Sequence, residues 1–172
     1  MKRNIKNPEN VGIYDLVDIN DNIIRAGTKE DAKKLRLFTR FVHILLFNTK
    51  GEIMVCKRPH NIKRYRNQIT SSAGGHIEQG ESYEISAKRE LKEELGITIP
   101  LKDIGRFDVI GYKIRGIHHL FIGKSEKVSV DPHEIASYKF LSPNILSRDL
   151  ALHPRRYAKP FHEALKYYLK HI

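Results

Sequence analysis

The chain has 172 residues and a mass of 20.0 kDa, and 30% of its residues are charged against 40% that are hydrophobic. This balance is typical of one globular domain and excludes an intrinsically disordered chain. Lys and Arg outnumber Asp and Glu by 31 to 20, and the net charge of +11 favours anionic partners such as phosphates, nucleotides or nucleic acid. The single cysteine, Cys56, excludes an internal disulfide bond and a multi-cysteine zinc site.

The hydropathy pattern contains neither a membrane segment nor a secretory leader. The longest apolar run, residues 41–47, is interrupted by His43 and is far too short to span a bilayer. The first ten residues carry charges with no apolar stretch behind them, which does not fit a secretory signal. We therefore expect a soluble cytoplasmic protein with no membrane partner.

Residues 1–36 are expected to form an N-terminal extension. Residues 14–19 and 23–26 alternate loosely between apolar and polar side chains, and the Asn and Asp residues between them are typical of a turn. Thr28 is a favoured N-cap residue and predicts a short helix over residues 29–35. The extension is therefore predicted to contain a β-hairpin followed by a short helix.

Residues 37–172 are expected to form the main domain. A second hairpin is predicted around the turn at residues 48–51, and a helix is predicted over residues 82–95, with Gly96 as its C-cap. The other predicted elements follow in chain order: strands over residues 38–47, 52–58, 69–73, 104–110, 117–123 and 135–141, and helices beginning near Ser142 and Tyr157. This mixture predicts an α/β (α+β) fold with a mixed central sheet flanked by helices.

The helix before Gly96 carries an unusual group of carboxylates. Glu90, Glu93 and Glu94 lie on neighbouring positions near its C-terminal end, where they repel one another and oppose the helix dipole. Mg²⁺ or Mn²⁺ would remove this conflict, because hard cations prefer clustered carboxylate oxygens. The carboxylates alone are also compatible with a solvated helix stabilised by Glu–Lys pairs.

The segment from Gly75 to Ile97 contains a longer pattern than its carboxylates. It has the required residue at every fixed position of the Nudix box: Gly75, Glu81, Arg89-Glu90-Leu91, Glu93-Glu94 and Gly96-Ile97. The chain therefore resembles a Nudix hydrolase over about residues 37–169. A signature of this length and order is much more specific than a short glycine motif.

The resemblance implies a Nudix α/β/α sandwich in which the box forms a loop, a helix and a second loop. Glu90, Glu93 and Glu94 would bind catalytic Mg²⁺ or Mn²⁺, assisted by Glu81 and the Gly75 carbonyl group. The expected cofactor is therefore Mg²⁺ or Mn²⁺.

The implied reaction is hydrolysis of a diphosphate bond in a nucleoside diphosphate linked to another moiety, or in a similar organic diphosphate. Arg89 would orient the carboxylates through its planar fork of donors. The general base differs among members of the family, and a box glutamate, Glu90 or Glu93, is one candidate. The other candidate is Glu134, which lies in a loop just before a predicted strand.

The N-terminal part resembles one branch of the family, the isopentenyl-diphosphate-isomerase-like proteins, in which a histidine such as His76 follows the box glycine. The isomerase mechanism uses a cysteine immediately before that glycine, where this chain has Gly74. Glycine cannot transfer a proton, so hydrolysis is favoured over isomerisation. A non-catalytic module that senses a phosphorylated ligand is a third alternative, and the intact box argues against it.

Basic residues before the box are candidates for substrate binding. Arg58, Lys63, Arg64 and Arg66 could hold phosphates or the leaving group, although the same residues also fit a solvated loop. His76 is a further candidate. The expected partner is a small-molecule diphosphate substrate. Nucleic acid is disfavoured because no RNA-recognition signature is visible, and a homodimer stays open.

Overall fold

The computed structural model describes residues 12–111 and 114–171. The strands follow in chain order: β1 (Tyr14–Val17), β2 (Ile23–Gly27), β3 (Thr39–Phe47), β4 (Ile53–Lys57), β5 (Ile69–Thr70), β6 (Ala73–His76), β7 (Lys102–Gly111), β8 (Ile114–Lys124) and β9 (Ser137–Leu141). The helices are α1 (Lys29–Leu35), α2 (Tyr83–Leu95), α3 (Pro143–Leu152) and α4 (Lys159–Lys170), and a 3₁₀ turn spans Pro154–Arg156. The first ten residues, interpreted above as lacking a secretory signal, lie outside the described residues.

The N-terminal hairpin and helix α1 form as predicted. β1 and β2 pair antiparallel, with Tyr14 opposite Gly27. The Thr28 hydroxyl oxygen accepts a hydrogen bond from the Asp31 amide at 3.1 Å, and the Asp31 carboxylate accepts one from the Thr28 amide at 2.9 Å. This reciprocal capping box sets the start of α1.

The main sheet has seven strands, and β3 lies at its centre. β3 runs parallel to β8, with Thr39 opposite Gly116 and Phe47 opposite Lys124. β8 pairs antiparallel with β7, and β9 pairs antiparallel with β4. The central sheet is therefore mixed, as the sequence predicts.

The region between β3 and β6 differs from its prediction. β3 and β4 are joined by the expected turn, yet they pair only at the turn end, because β6 pairs with the first half of β3. The single strand predicted over residues 69–73 is wrong, since the segment divides into β5, which pairs with β4, and β6. Ser72 lies at the division: its hydroxyl donates to the Met54 carbonyl at 2.7 Å and accepts from the Leu46 amide at 2.8 Å. One serine therefore links the two strands that separate here.

Helices cover both faces of the main sheet. Ile44 of β3 belongs to the buried cluster that contains Leu91 of α2, whereas the next residue, Leu45, belongs to the cluster that contains Phe161 of α4. Alternating residues of β3 thus serve two cores, which gives the expected α/β/α sandwich. Among the helices of residues 12–111 and 114–171, none is long and apolar enough to cross a membrane.

Candidate active site

Helix α2 holds its carboxylates at the edge of the core. The Ser82 hydroxyl caps the helix by accepting a hydrogen bond from the Ile85 amide at 3.3 Å. Gly96 ends the helix with a φ of 66°, a conformation that favours glycine. Glu90 and Glu94 are only 3% and 7% exposed, so for these two residues the alternative of a solvated helix does not hold.

The carboxylate of Glu90 lies directly against strand β6. A Cβ atom at Gly75 would overlap that carboxylate, so glycine is the residue that leaves room for it. A buried carboxylate costs free energy unless another group balances its charge. The Glu90 carboxylate, which lies against Gly75, therefore needs a positively charged group beside it.

Arg89 supplies that positive charge in the present arrangement. Its Nε and Nη2 donate to the two carboxylate oxygens of Glu81 at 2.7 and 2.8 Å, which is a bidentate pair. Its Nη1 donates to Glu90 at 2.7 Å and to Glu93 at 3.4 Å. Burial is the largest single influence on the pKa of Glu81 and raises it, but the hydrogen bonds from Arg89 and the Glu78 amide, together with the charge of Arg89, leave that pKa below its usual value. The guanidinium thus gathers three of the predicted site carboxylates around itself.

The donor set suits a hard divalent cation, because such ions prefer carboxylate oxygens as ligands. In the described part of the chain, no three His, Cys, Asp or Glu side chains converge closely enough to hold a metal ion as they stand. Two of the three carboxylates expected to bind a cation, those of Glu90 and Glu93, accept hydrogen bonds from Arg89.

The loop that carries Glu134 is tied to the C-terminal end of α2. The Asp131 amide donates to the Glu94 carbonyl oxygen at 2.9 Å, and the Glu134 amide donates to the Asp131 carbonyl at 3.1 Å. The Glu134 carboxylate forms an ion pair with Arg58, with Oε2 and Nη1 3.3 Å apart. The Arg58 Nε is buried with no hydrogen-bond partner among the described residues. The structure thus brings two predicted site residues, Arg58 and Glu134, together.

The other predicted substrate-binding residues separate into two groups. Lys63 and Arg66 line an open cavity of about 800 Å³ beside β4, whereas Arg64 does not line it. Sequence reasoning missed four further basic residues in this lining: Lys57, Lys139, Arg155 and Arg156. They come from three separate segments of the chain, so no local pattern signals that they meet.

His76 joins the site through its backbone. Its carbonyl oxygen accepts a hydrogen bond from Arg89 Nη2 at 3.2 Å. Its ring packs between Tyr14 and Phe41, with ring centroids 5.4 and 4.8 Å away. The imidazole therefore contacts the N-terminal hairpin and β3 on the side of the sheet opposite Glu90.

A buried pair of histidines was also missed by the sequence reasoning. His43 Nε2 and His118 Nδ1 share a hydrogen bond of 3.1 Å, and His43 Nδ1 lies 3.0 Å from the Ser71 hydroxyl. Burial lowers the pKa of both imidazoles, that of His118 to about 3. Both rings are therefore neutral near pH 7 and form part of the core.

The N-terminal hairpin clamps the loop that precedes α2. The Asp15 carboxylate accepts a hydrogen bond from the Gly80 amide at 2.9 Å, and the Ile13 carbonyl accepts one from the Gln79 amide at 3.3 Å. At the hairpin turn, the Asp21 carboxylate accepts a hydrogen bond from the Tyr83 hydroxyl at 2.9 Å. The hairpin thus holds both the loop of Glu81 and the start of the helix.

The position of the isomerase cysteine is closed by the backbone. A Cβ atom at Gly74 would overlap the Val42 carbonyl oxygen, so no larger residue fits without movement of the strands. Cys56 lies buried on β4 and donates from Sγ to the Ser72 carbonyl at 3.2 Å. Burial raises the pKa of its thiol, which makes it a core residue and a poor proton donor.

Comparison with known proteins agrees with this geometry. The family described as NUDIX domain matches residues 37–163. The chain is similar to isopentenyl-diphosphate Delta-isomerase 2 of Photorhabdus laumondii, at 31% identity over 136 residues that cover 74% of this chain and 75% of that protein. It is also similar to a prenyl-diphosphate phosphatase of Methanosarcina mazei, at 23% identity over 87% of this chain and 90% of that protein.

A solved structure extends the likeness to the whole fold. The crystal structure of DR0079 from Deinococcus radiodurans superimposes with a TM-score of 0.78, covering 91% of this chain and 99% of that chain. The two sequences are 20% identical, so this comparison supports the fold alone.

Proposed function

Because the chain belongs to the Nudix family of hydrolases, we propose that it hydrolyses a diphosphate bond in a small organic substrate with the help of Mg²⁺ or Mn²⁺. The observation that carries the proposal is the contact of the buried Glu90 carboxylate with Gly75 and Arg89. This arrangement places carboxylate oxygens where they are costly for a purely structural helix and useful for a cation.

The residues that would hold the cation are Glu90, Glu93 and Glu94, with Glu81 and the Gly75 carbonyl beside them. When bound, the cation would neutralise phosphate oxygens and lower the pKa of a water molecule. Arg89 acts as a positioning residue, because its hydrogen bonds fix Glu81 and Glu90 in defined orientations.

Proton removal from the attacking water requires a carboxylate of this chain. Glu134 is the candidate we favour, since its loop is anchored on α2 at the Glu94 carbonyl and its carboxylate is partly exposed. Glu93 is the alternative among the box residues, because Glu90 is enclosed by Gly75 and Arg89.

The proposal predicts that Glu93→Gln and Glu94→Gln each lower turnover about 100-fold or more while the fold is retained, because each removes an anionic cation ligand. The measurement is phosphate or monophosphate release from a panel of organic diphosphates in Mg²⁺, in Mn²⁺ and in EDTA. Glu84→Gln, at an exposed position in the first turn of α2, is the matched control and should keep wild-type turnover. Near-wild-type rates for both site variants would contradict the cation assignment.

The same panel of compounds distinguishes hydrolysis from two other functions, isomerisation and ligand sensing. Isomerase activity, for which the Photorhabdus relative is named, is disfavoured because no cysteine fits at Gly74. A sensing module would show thermal stabilisation by a diphosphate compound without turnover of it. Proton exchange into isopentenyl diphosphate without phosphate release would instead favour the isomerase.

A further inference from the structure

The cavity beside β4 is strongly cationic. Its lining includes Lys57, Lys63, Arg66, Lys139, Arg155 and Arg156, and it contains no Asp or Glu. Within the described part of the chain, Arg156 is the one cation of these six with a carboxylate inside 4 Å, at 3.1 Å from Asp149. Like charges gathered around one space repel, and an anionic ligand would remove that repulsion.

This cavity lies on the face of the sheet opposite α2. Val55 of β4 and Ile69 of β5 line it and belong to the core cluster of α4, and Cys56, which belongs to the cluster of α2, lines it between Val55 and Lys57. The six cations are therefore separate from the carboxylates that would bind the metal ion.

The cavity and the candidate active site meet at the end of β4. Lys57 lines the cavity, and the next residue, Arg58, pairs with Glu134 on the other side. Ile69, also in the lining, lies six residues before Gly75 on the same extended segment, which spans at most about 20 Å. Ile69 of the cavity and Gly75 of the candidate active site are therefore no farther apart than an extended dinucleotide is long.

The positive charge of the cavity lining favours phosphate groups over prenyl chains. A prenyl chain placed there would displace water from charged groups without replacing their hydrogen bonds, which is unfavourable. Phosphate groups would instead form charge-assisted, bidentate hydrogen bonds with the arginines. The half-buried ring of Tyr65 in the lining offers a surface for a base or sugar.

We propose that the substrate carries a further phosphate group at the end remote from the diphosphate that is hydrolysed, and that the cationic cavity binds this remote phosphate. The inference rests on the proposed function, because it assigns the substrate class of the same site. It places this chain apart from the prenyl-diphosphate phosphatase that it resembles.

The test uses pairs of compounds that differ by one remote phosphate: coenzyme A with 3′-dephospho-coenzyme A, and NADPH with NADH. Hydrolysis in Mg²⁺ should give a kcat/KM about tenfold or more higher for the phosphorylated member, mainly through KM. Arg155→Gln combined with Arg156→Gln should remove most of this preference. Lys63→Gln with Arg66→Gln gives the same readout from another segment, and Arg148→Gln, an exposed arginine outside the lining, should keep the preference.

A binding measurement separates this inference from the proposed function. Calorimetric titration in EDTA compares adenosine 2′,5′-bisphosphate with adenosine 5′-monophosphate and needs no turnover. Tighter binding of the bisphosphate that the Arg155/Arg156 variant abolishes supports the cavity assignment even if no compound is hydrolysed, in which case the proposed function fails alone. Hydrolysis with equal kcat/KM within each pair, or geranyl diphosphate as the best substrate, would overturn the inference and leave the proposed function standing. Tighter binding of single-stranded RNA than of the bisphosphate would also overturn it.

Discussion

At the scale of single residues, Arg89 donates hydrogen bonds to three carboxylates of the candidate site, those of Glu81, Glu90 and Glu93. Replacing it with methionine would remove the guanidinium hydrogen bond at 2.7 Å from the buried Glu90 carboxylate. We expect Arg89→Met to lower the free energy of unfolding by about 3 kcal/mol in EDTA, the usual cost of breaking a buried ion pair by removing one member. Urea unfolding measures it, with Arg106→Met, which breaks an exposed pair with Asp108, as the control.

The same variant makes a second measurement possible. Mg²⁺ bound at Glu90 would replace part of the missing positive charge, so Arg89→Met should gain more stability from added Mg²⁺ than the wild-type protein does. Equal gains in the two proteins would show that the cation binds away from Glu90.

The role of Glu134 is also a residue-scale question. Glu134→Gln keeps the size of the side chain and a hydrogen-bond acceptor for Arg58 but removes the basic group. We expect kcat to fall about 100-fold or more with little change in substrate binding, because a positioned base contributes about that factor. Single-turnover kinetics separate the two effects. A kcat equal to that of the wild type would assign the base to the box, with Glu93 next to be tested.

Residue spacing predicted that Arg89 and Glu81 lie close together, but it did not predict which cations line the cavity beside β4. Arg89 and Glu81 are eight residues apart, and only a loop followed by a helix makes them meet, which is what the box signature encodes. Arg155 and Lys63 line one cavity although nothing in either local sequence points to the other. Contacts of that kind depend on the packing of β4, β9 and the 3₁₀ turn, which a single sequence does not specify.

At the scale of elements, the N-terminal hairpin serves as a clamp on the loop before α2. Asp15→Ala would leave the Gly80 amide without its acceptor and loosen the loop that carries Glu81. We expect a lower kcat/KM and faster amide hydrogen exchange at Gly80. Asp15→Asn should restore both in large part, because its side-chain carbonyl still accepts a hydrogen bond.

The matched control for this prediction is Glu30→Gln, an exposed acidic position in the first turn of α1 that should change neither quantity. If Asp15→Asn is as impaired as Asp15→Ala, the charge of Asp15 matters and not its hydrogen bond. If neither variant changes hydrogen exchange at Gly80, the hairpin does not hold the loop.

Elements with local start and stop signals were predicted well, whereas the division of residues 69–76 into two strands was not. The caps Thr28, Ser82 and Gly96 mark helix ends because their chemistry acts on neighbouring amides or on the local backbone. The division between β5 and β6 depends on which strand is the neighbour, β4 or β3, and that choice is made by the tertiary fold. The sequence around Ser72 does not indicate that the segment divides there.

At the scale of the whole molecule, the buried histidines link stability to pH. Burial keeps His43 and His118 neutral when folded, whereas both take a proton below about pH 6.5 when the chain is unfolded. The stability that the two neutral imidazoles contribute is therefore fully present above pH 6.5, and it is lost as the pH falls toward the pKa of the folded state. We expect the free energy of unfolding to fall by about 1.4 kcal/mol per pH unit for each histidine below pH 6.

Urea unfolding at pH 7 and pH 5 measures this dependence. His118→Gln should lose less stability between the two pH values than the wild-type protein does, since one of the two imidazoles is gone. His119→Gln is the control, because that ring lies on the other face of β8 against Tyr83 and pairs with Asp103. Equal pH dependence in the wild-type and His118→Gln proteins would contradict the assignment.

The mixed α/β sandwich was predicted correctly. That α2, the helix of the Nudix box, carries the chemistry stays a prediction. The parallel pairing of β3 with β8 was not predicted, because apolar runs show that strands exist and do not show which of them are neighbours. The division into an N-terminal extension and a main domain, a cytoplasmic location and a homodimer all stay predictions.

The parallel pairing of β3 with β8 also has a consequence for the order of folding. Each paired residue of β3 has a partner in β8 that lies far along the chain. The segment between the two strands includes β4, β5, β6, α2 and β7. Closing so long a loop costs chain entropy before any ladder hydrogen bond is gained, so a high contact order and slow folding follow. During synthesis β3 cannot pair with β8 until β8 has left the ribosome. Until then the apolar side of α2 cannot pack against the complete sheet.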